Sequence, residues 1–111
     1  MSRGQRAANR DMVVDALKVV RDIDNTYTVP EYITRVEAKT TSDNNDFTIT
    51  LQPPSVCAGC IVTIYMTSRN ASDDITVSGE GFSDITLDAA DEFTVLYSDG
   101  VDWHEIGSNH A

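Results

Sequence analysis

The sequence predicts a mainly β fold, a small antiparallel β-sandwich or jelly-roll-like barrel preceded by an N-terminal α-helix and arm. Three observations carry this. Six or seven short segments alternate apolar with polar residues at intervals near ten residues, the rhythm of a sandwich or small barrel. The closing stretch, residues 91–107, spells a hairpin. In it Phe93, Val95 and Tyr97 alternate with Glu92, Thr94 and Ser98 as in a half-buried strand, and Asp99-Gly100 suits the positive φ of a two-residue turn. Ahead of the β-segments, one stretch instead spaces its apolar residues by three and four.

That stretch is predicted as a helix over residues 10–23, with Asn9 as its N-cap. Met12, Val13, Ala16, Leu17, Val20 and Ile23 form its apolar stripe, and Arg10, Asp11, Asp15, Lys18, Arg21 and Asp22 occupy most of the remainder. A Lys18–Asp22 pair adds only about 0.3 kcal/mol, so packing must hold such a helix in place. Asp24 to Tyr27 ends it, and Val29-Pro30 is extended because proline disfavours α geometry in the preceding residue. The chain thus divides into residues 1–32, a basic arm, helix and linker, and residues 33–111, the β-domain.

Tyr32 to Lys39 reads as a first edge strand and Thr40 to Asp46 as a polar turn. From Phe47 the alternation is clean, with Phe47, Ile49 and Leu51 on one face and Thr48 and Thr50 on the other. Cys60, Val62, Ile64 and Met66 oppose Ile61, Thr63, Tyr65 and Thr67, a strand apolar on one face and mixed on the other. Ile75 with Val77, and Ile85 with Leu87, supply two shorter strands, separated by the turn at Gly79-Glu80-Gly81. Asp88 to Asp91 leads into the hairpin.

At 111 residues and 41% hydrophobic composition the chain is one globular domain with a single core. The first ten residues lack the apolar run that follows a basic start in a signal peptide, so synthesis in a cytoplasm is expected. Residues 47–68 carry no charge, but Gln52, Pro53, Pro54 and Gly59 interrupt them, which excludes a spanning helix and favours two sheltered strands. No membrane partner is expected.

Charge is asymmetric within a net of −10. Residues 1–39 hold seven basic and six acidic groups, whereas residues 40–111 hold Arg69 alone against twelve acids. The β-domain would repel phosphates, so nucleic acid is excluded as its partner. An acidic body of this kind keeps a protein soluble. It also leaves the basic tip, Arg3, Arg6 and Arg10, to dock on an acidic surface.

Four features invite a chemical reading. Cys57-Ala58-Gly59-Cys60 has the spacing of a redox pair or half a zinc site, but it precedes a strand instead of opening a helix. Only His104 and His110 are on offer as further zinc ligands, so free structural thiols are favoured over a disulfide or a metal site. His104 lies near Asp99, Asp102 and Glu105, yet no nucleophile motif accompanies it, and turn-lining polar groups are the favoured reading. The acid-rich turns at residues 43–46, 73–74 and 88–92 lack the ligand spacing and glycine of a calcium loop. No catalytic, cofactor-binding or metal-ligating residue is assigned, and an enzyme is not expected.

The phrase Thr94-Val-Leu-Tyr-Ser-Asp-Gly-Val-Asp-Trp-His-Glu-Ile-Gly107, together with the Thr-rich strands upstream, resembles the small β-domains of bacteriophage virion proteins. These occur in head decoration (cement) proteins and in fibre or spike subunits. The resemblance covers roughly residues 45–107. It implies a structural protein on the capsid exterior, made in a bacterial host's cytoplasm. Such a protein binds the major capsid protein as a homotrimer and stabilises the shell by bridging capsid subunits. The expected contact residues are Arg3, Arg6, Arg10, Met12, Val13, Leu17 and Val20. A tail or fibre-associated subunit is the alternative within the same class. A carbohydrate-binding module, with Tyr65, Tyr97 and Trp103 as aromatic platforms, is the alternative outside it.

Overall fold

The computed structural model describes residues 18–41 and 45–110. Among them nine strands form: β1 (Val19–Ile23), β2 (Tyr27–Thr28), β3 (Arg35–Lys39), β4 (Phe47–Thr50), β5 (Ile61–Ser68), β6 (Ile75–Ser78), β7 (Ile85–Leu87), β8 (Phe93–Ser98) and β9 (Trp103–Ser108). They make two mixed sheets, a five-stranded one in the order β1-β3-β5-β8-β9 and a four-stranded one in the order β2-β4-β6-β7.

The chain crosses from one sheet to the other at every step from β1 to β6, so each strand lands beside the one laid down two elements earlier. Strands placed that way run parallel: β1 with β3, β3 with β5, β2 with β4 and β4 with β6. Parallel neighbours need a long crossover connection. Here a strand in the opposite sheet serves as that crossover. Only the last three strands turn back antiparallel, β7 on β6, β8 on β5 and β9 on β8. The all-antiparallel expectation is therefore corrected to a winding, mixed sandwich.

The predicted helix is also corrected. Its last five residues, Val19–Ile23, form β1 and pair with β3, with a register shift at Asp22, whose φ is 60°. Three of the five are β-branched, which favours a strand over a helix once a neighbouring edge is available. Residues 10–17 of the predicted helix lie outside the described residues. Downstream, the extended Val29 is buried, and β3 lies between β1 and β5, not at an edge.

Both inner faces feed one core. Val36, Ala38, Val62, Ile64, Met66 and Leu96 come from the five-stranded sheet, and Phe47, Ile49, Ile75, Val77, Ile85 and Leu87 from the other. Trp103 ties the layers together: it is 1% exposed, its indole Nε1 donates to the Gln52 carbonyl at 2.8 Å, and its backbone N–H donates to the Glu80 carbonyl at 2.9 Å. The loop that supplies Glu80 comes so close to β9 that a Cβ on Gly81, where φ is 98°, would lie 2.4 Å from Asp102 Cβ.

The hairpin turn is four residues long instead of two. Ser98 pairs with Trp103, and Asp99 N–H donates to the Asp102 carbonyl at 3.1 Å. Gly100 takes the positive φ, 94°, but Asp99 does not, so the two successive left-handed residues of the tighter turn are absent. Asp99 instead accepts from the N–H groups of Val101 and Asp102 through its side chain, each at 2.8 Å.

Candidate interaction face on the five-stranded sheet

Strand β8 is turned the unexpected way round. Alternation suggests Phe93, Val95 and Tyr97 as its buried face, yet Thr94, Leu96 and Ser98 are each fully buried and the aromatic side is half-exposed. Pairing with β5 dictates this, because Leu96 stands opposite Val62 and Thr94 opposite Ile64, both core residues. Facing is all-or-none, since a one-residue slip would reverse every side chain of the strand. The buried hydroxyls are satisfied: Thr94 Oγ1 donates to Glu105 Oε2 at 2.6 Å, and Ser98 Oγ donates to the Pro54 carbonyl at 2.9 Å. Without those acceptors the inverted strand would bury two orphaned polar groups, at about 1–3 kcal/mol each.

The consequence is an outer face that carries the apolar side of β8 among polar and charged neighbours. Cross-strand rows run Arg35, Thr63, Val95, Gly107, then Glu37, Tyr65, Phe93, then Ile61, Tyr97, His104. Three residues beyond the inward Trp103, Ile106 falls outside the core and is 57% exposed, with Ile61 at 49%. The outer face of the four-stranded sheet is different in kind, with rows Thr28, Thr50, Ser78 and Thr48, Thr76, Thr86. One face is a field of hydroxyls; the other gathers Ile61, Tyr65, Phe93, Val95, Tyr97 and Ile106. Tyr65, Phe93, Val95 and Tyr97 are partly buried there and Ile61 and Ile106 are exposed, which makes this face a candidate contact surface.

Charge rims this face on the β1–β3 side. Arg35 Nε donates to Glu37 Oε2 at 2.8 Å and its guanidinium lies 4.9 Å from the centre of the Tyr65 ring. Arg21 reaches Glu37 at 3.8 Å and Lys39 reaches Asp22 at 3.3 Å. The Tyr65 hydroxyl donates to the Asp91 carboxylate, which, with burial, raises its pKa above the usual 10.0. These exposed pairs set orientation more than stability.

At the hairpin end, His104 Nε2 lies 2.7 Å from Asp99 Oδ2. The Asp102 N–H, the His104 ring and the Val101 N–H together draw the Asp99 pKa down to about 2 from 3.8. A depressed carboxyl stabilises the folded form above its unfolded value, so this contribution is complete above about pH 4 and is lost as pH falls through 2. A carboxyl-carbon NMR titration should place the Asp99 midpoint near 2; a midpoint near 3.8 would mean that the turn hydrogen bonds are not formed in solution.

Of the seven contact residues expected from sequence, Val20 alone is described, and it packs against the core from β1. Arg3, Arg6, Arg10, Met12, Val13 and Leu17 lie outside the described residues. Trp103 is buried and cannot serve as an aromatic platform for a sugar. Cys57 and Cys60 are free thiols. Beside β7 and β9 lies an open groove lined by Phe82, Ile85, Asp88, Glu105 and His110, where the His110 ring lies 2.6 Å from Glu105 Oε2. Among the described residues no three His, Cys, Asp or Glu side chains gather to hold a metal, and no helix is long and apolar enough to cross a membrane. No protein-family model, curated protein or solved structure matches the chain.

Proposed function

We propose that this chain is a virion structural protein of the head-decoration type, a homotrimer that binds the capsid exterior and stabilises the assembled shell. The observation that carries the reading is the outward-turned apolar face of β5, β8 and β9, which a soluble acidic domain would cover through association. In the trimer this face meets neighbouring copies. The basic segment with Arg3, Arg6 and Arg10 reaches the major capsid protein, while the acidic body and the hydroxyl-covered sheet face solvent. Support also comes from the Ser98-Asp99-Gly100-x-x-Trp103 phrase and its resemblance to phage virion β-domains.

The mechanism is mechanical. A protein that binds the assembled shell and not its free subunits shifts the equilibrium toward the shell by mass action. The protein would be made in a bacterial cytoplasm and act on the virion surface. Co-sedimentation with undecorated, expanded capsids tests this: hundreds of copies per particle are the expected result, on the order of the number of capsid subunits bridged. A few copies per particle would assign the chain to a tail or fibre instead, and no binding would sink the virion reading. Deleting residues 1–10 should weaken binding in a salt-dependent manner, because screening acts on exposed charge.

A further inference from the structure

Cys57 and Cys60 close a turn that is already shaped for a covalent bond. Cys60 N–H donates to the Cys57 carbonyl at 3.0 Å, and Gly59 supplies the positive φ, 86°. A four-residue turn of this kind holds its end Cα atoms within about 7 Å, and a disulfide needs about 4.4–6.8 Å. The turn is pinned from the other side by β8, where Gly59 N–H donates to the Ser98 carbonyl at 2.7 Å and Ser98 N–H donates to the Cys60 carbonyl at 3.0 Å. Apart from its chain neighbours, nothing lies within 4 Å of where a Gly59 Cβ would stand, so the tip of the turn faces open space.

We propose that Cys57 and Cys60 form a redox-active dithiol that closes reversibly into an intramolecular disulfide by exchange with a small-molecule disulfide of the glutathione class. Cys60 is half-buried and Cys57 is 7% exposed, so Cys60 meets the reagent first. Its thiolate attacks one sulfur of the oxidised glutathione. That S–S bond breaks, and one glutathione thiolate leaves and takes up the proton lost by Cys60. Cys57 then loses its proton and attacks the Cys60 sulfur of the mixed disulfide, expelling the second glutathione thiolate, which takes that proton. The two cysteines lose two electrons and the glutathione disulfide gains them. Burial, with Cys60 alongside, pushes the Cys57 thiol up to about 11, which makes the second step the slow one. The dithiol stays open in a reducing cytosol and closes outside it. The bond would tie the crossover between β4 and β5 at a point already held by β8.

The test equilibrates the full-length native chain with glutathione buffers of increasing oxidised fraction, quenches with an alkylating reagent and reads intact mass. Expected is a monomeric species that has lost two hydrogens, carries no alkyl group and returns to two alkylatable thiols on reduction. In the reduced chain Cys60 should alkylate at least ~10-fold faster than Cys57. The C57S variant should stop at the mixed disulfide between Cys60 and glutathione. Two alkylatable thiols in the wild-type chain under excess oxidised glutathione would overturn the proposal. So would a mixed disulfide at Cys60 that persists with Cys57 intact.

Discussion

Replacing Trp103 with alanine should destabilise the protein by about 3–5 kcal/mol, the range for removing a large aromatic from a packed core. The indole is 1% exposed and lies where the two sheets meet, so the void would be lined by both layers and could not close by a local shift. The Gln52 carbonyl would lose its indole donor as well. For a domain whose total stability falls in the usual range of about 5–15 kcal/mol, the variant should sit near the edge of folding at 25 °C. Urea denaturation followed by far-UV circular dichroism measures this without needing the tryptophan signal. Trp103→Phe keeps one aromatic ring but loses the hydrogen bond and part of the indole's volume, and should cost less than Trp103→Ala, about 1–3 kcal/mol. Equal effects from the two substitutions would mean that packing is not what makes Trp103 matter.

Val95→Asp should leave the fold intact and break association. Val95 is half-buried in the middle of the apolar outer face, between Thr63 on β5 and Gly107 on β9. A strand residue on the outer face changes stability by about 1 kcal/mol or less. A carboxylate buried at a contact between copies is another matter, because it loses its water without gaining a partner. The acidic body adds repulsion of the same sign. Dissociation constants for the proposed trimer should rise by ~100-fold or more, a loss of about 2.7 kcal/mol or greater. Sedimentation equilibrium reads this directly. Thr50→Asp, on the hydroxyl face of the other sheet, is the matched control and should leave the oligomer unchanged.

Much of the strand layout was legible from alternation alone. β4, β5, β6, β7 and β8 fall on the segments that Phe47, Val62, Ile75, Ile85 and Phe93 announce. Their direction was not legible, because inward and outward residues alternate identically in parallel and antiparallel strands, and the choice is made by partners far away in sequence. Val19, Val20 and Ile23 are a case of competing periods: their spacing also fits a helix stripe, and it is the free edge of β3 that settles them into β1.

The candidate face was hidden for a sharper reason. Phe93, Val95 and Tyr97 are the apolar side of β8, and burying them is the natural reading of the strand in isolation. What reverses it is the pairing of Leu96 with Val62, together with acceptors for Thr94 and Ser98 supplied by Glu105 and Pro54. A signal was present all the same. Strand β8 has Leu96 on its polar side, and β5 has Ile61 and Tyr65 on its mixed side. A sheet built from two strands with apolar residues on both faces has one face left over.

Electron cryomicroscopy of expanded capsids saturated with the protein would show directly how bound copies sit on the shell and on one another. Density is expected on the capsid exterior in groups of three. In each group the outer faces of β5, β8 and β9 are covered by neighbouring copies, and the hydroxyl-covered sheet is open to solvent. Bound copies whose Val95 and Tyr97 face solvent would contradict this arrangement, as would heads that remain bare at matched salt.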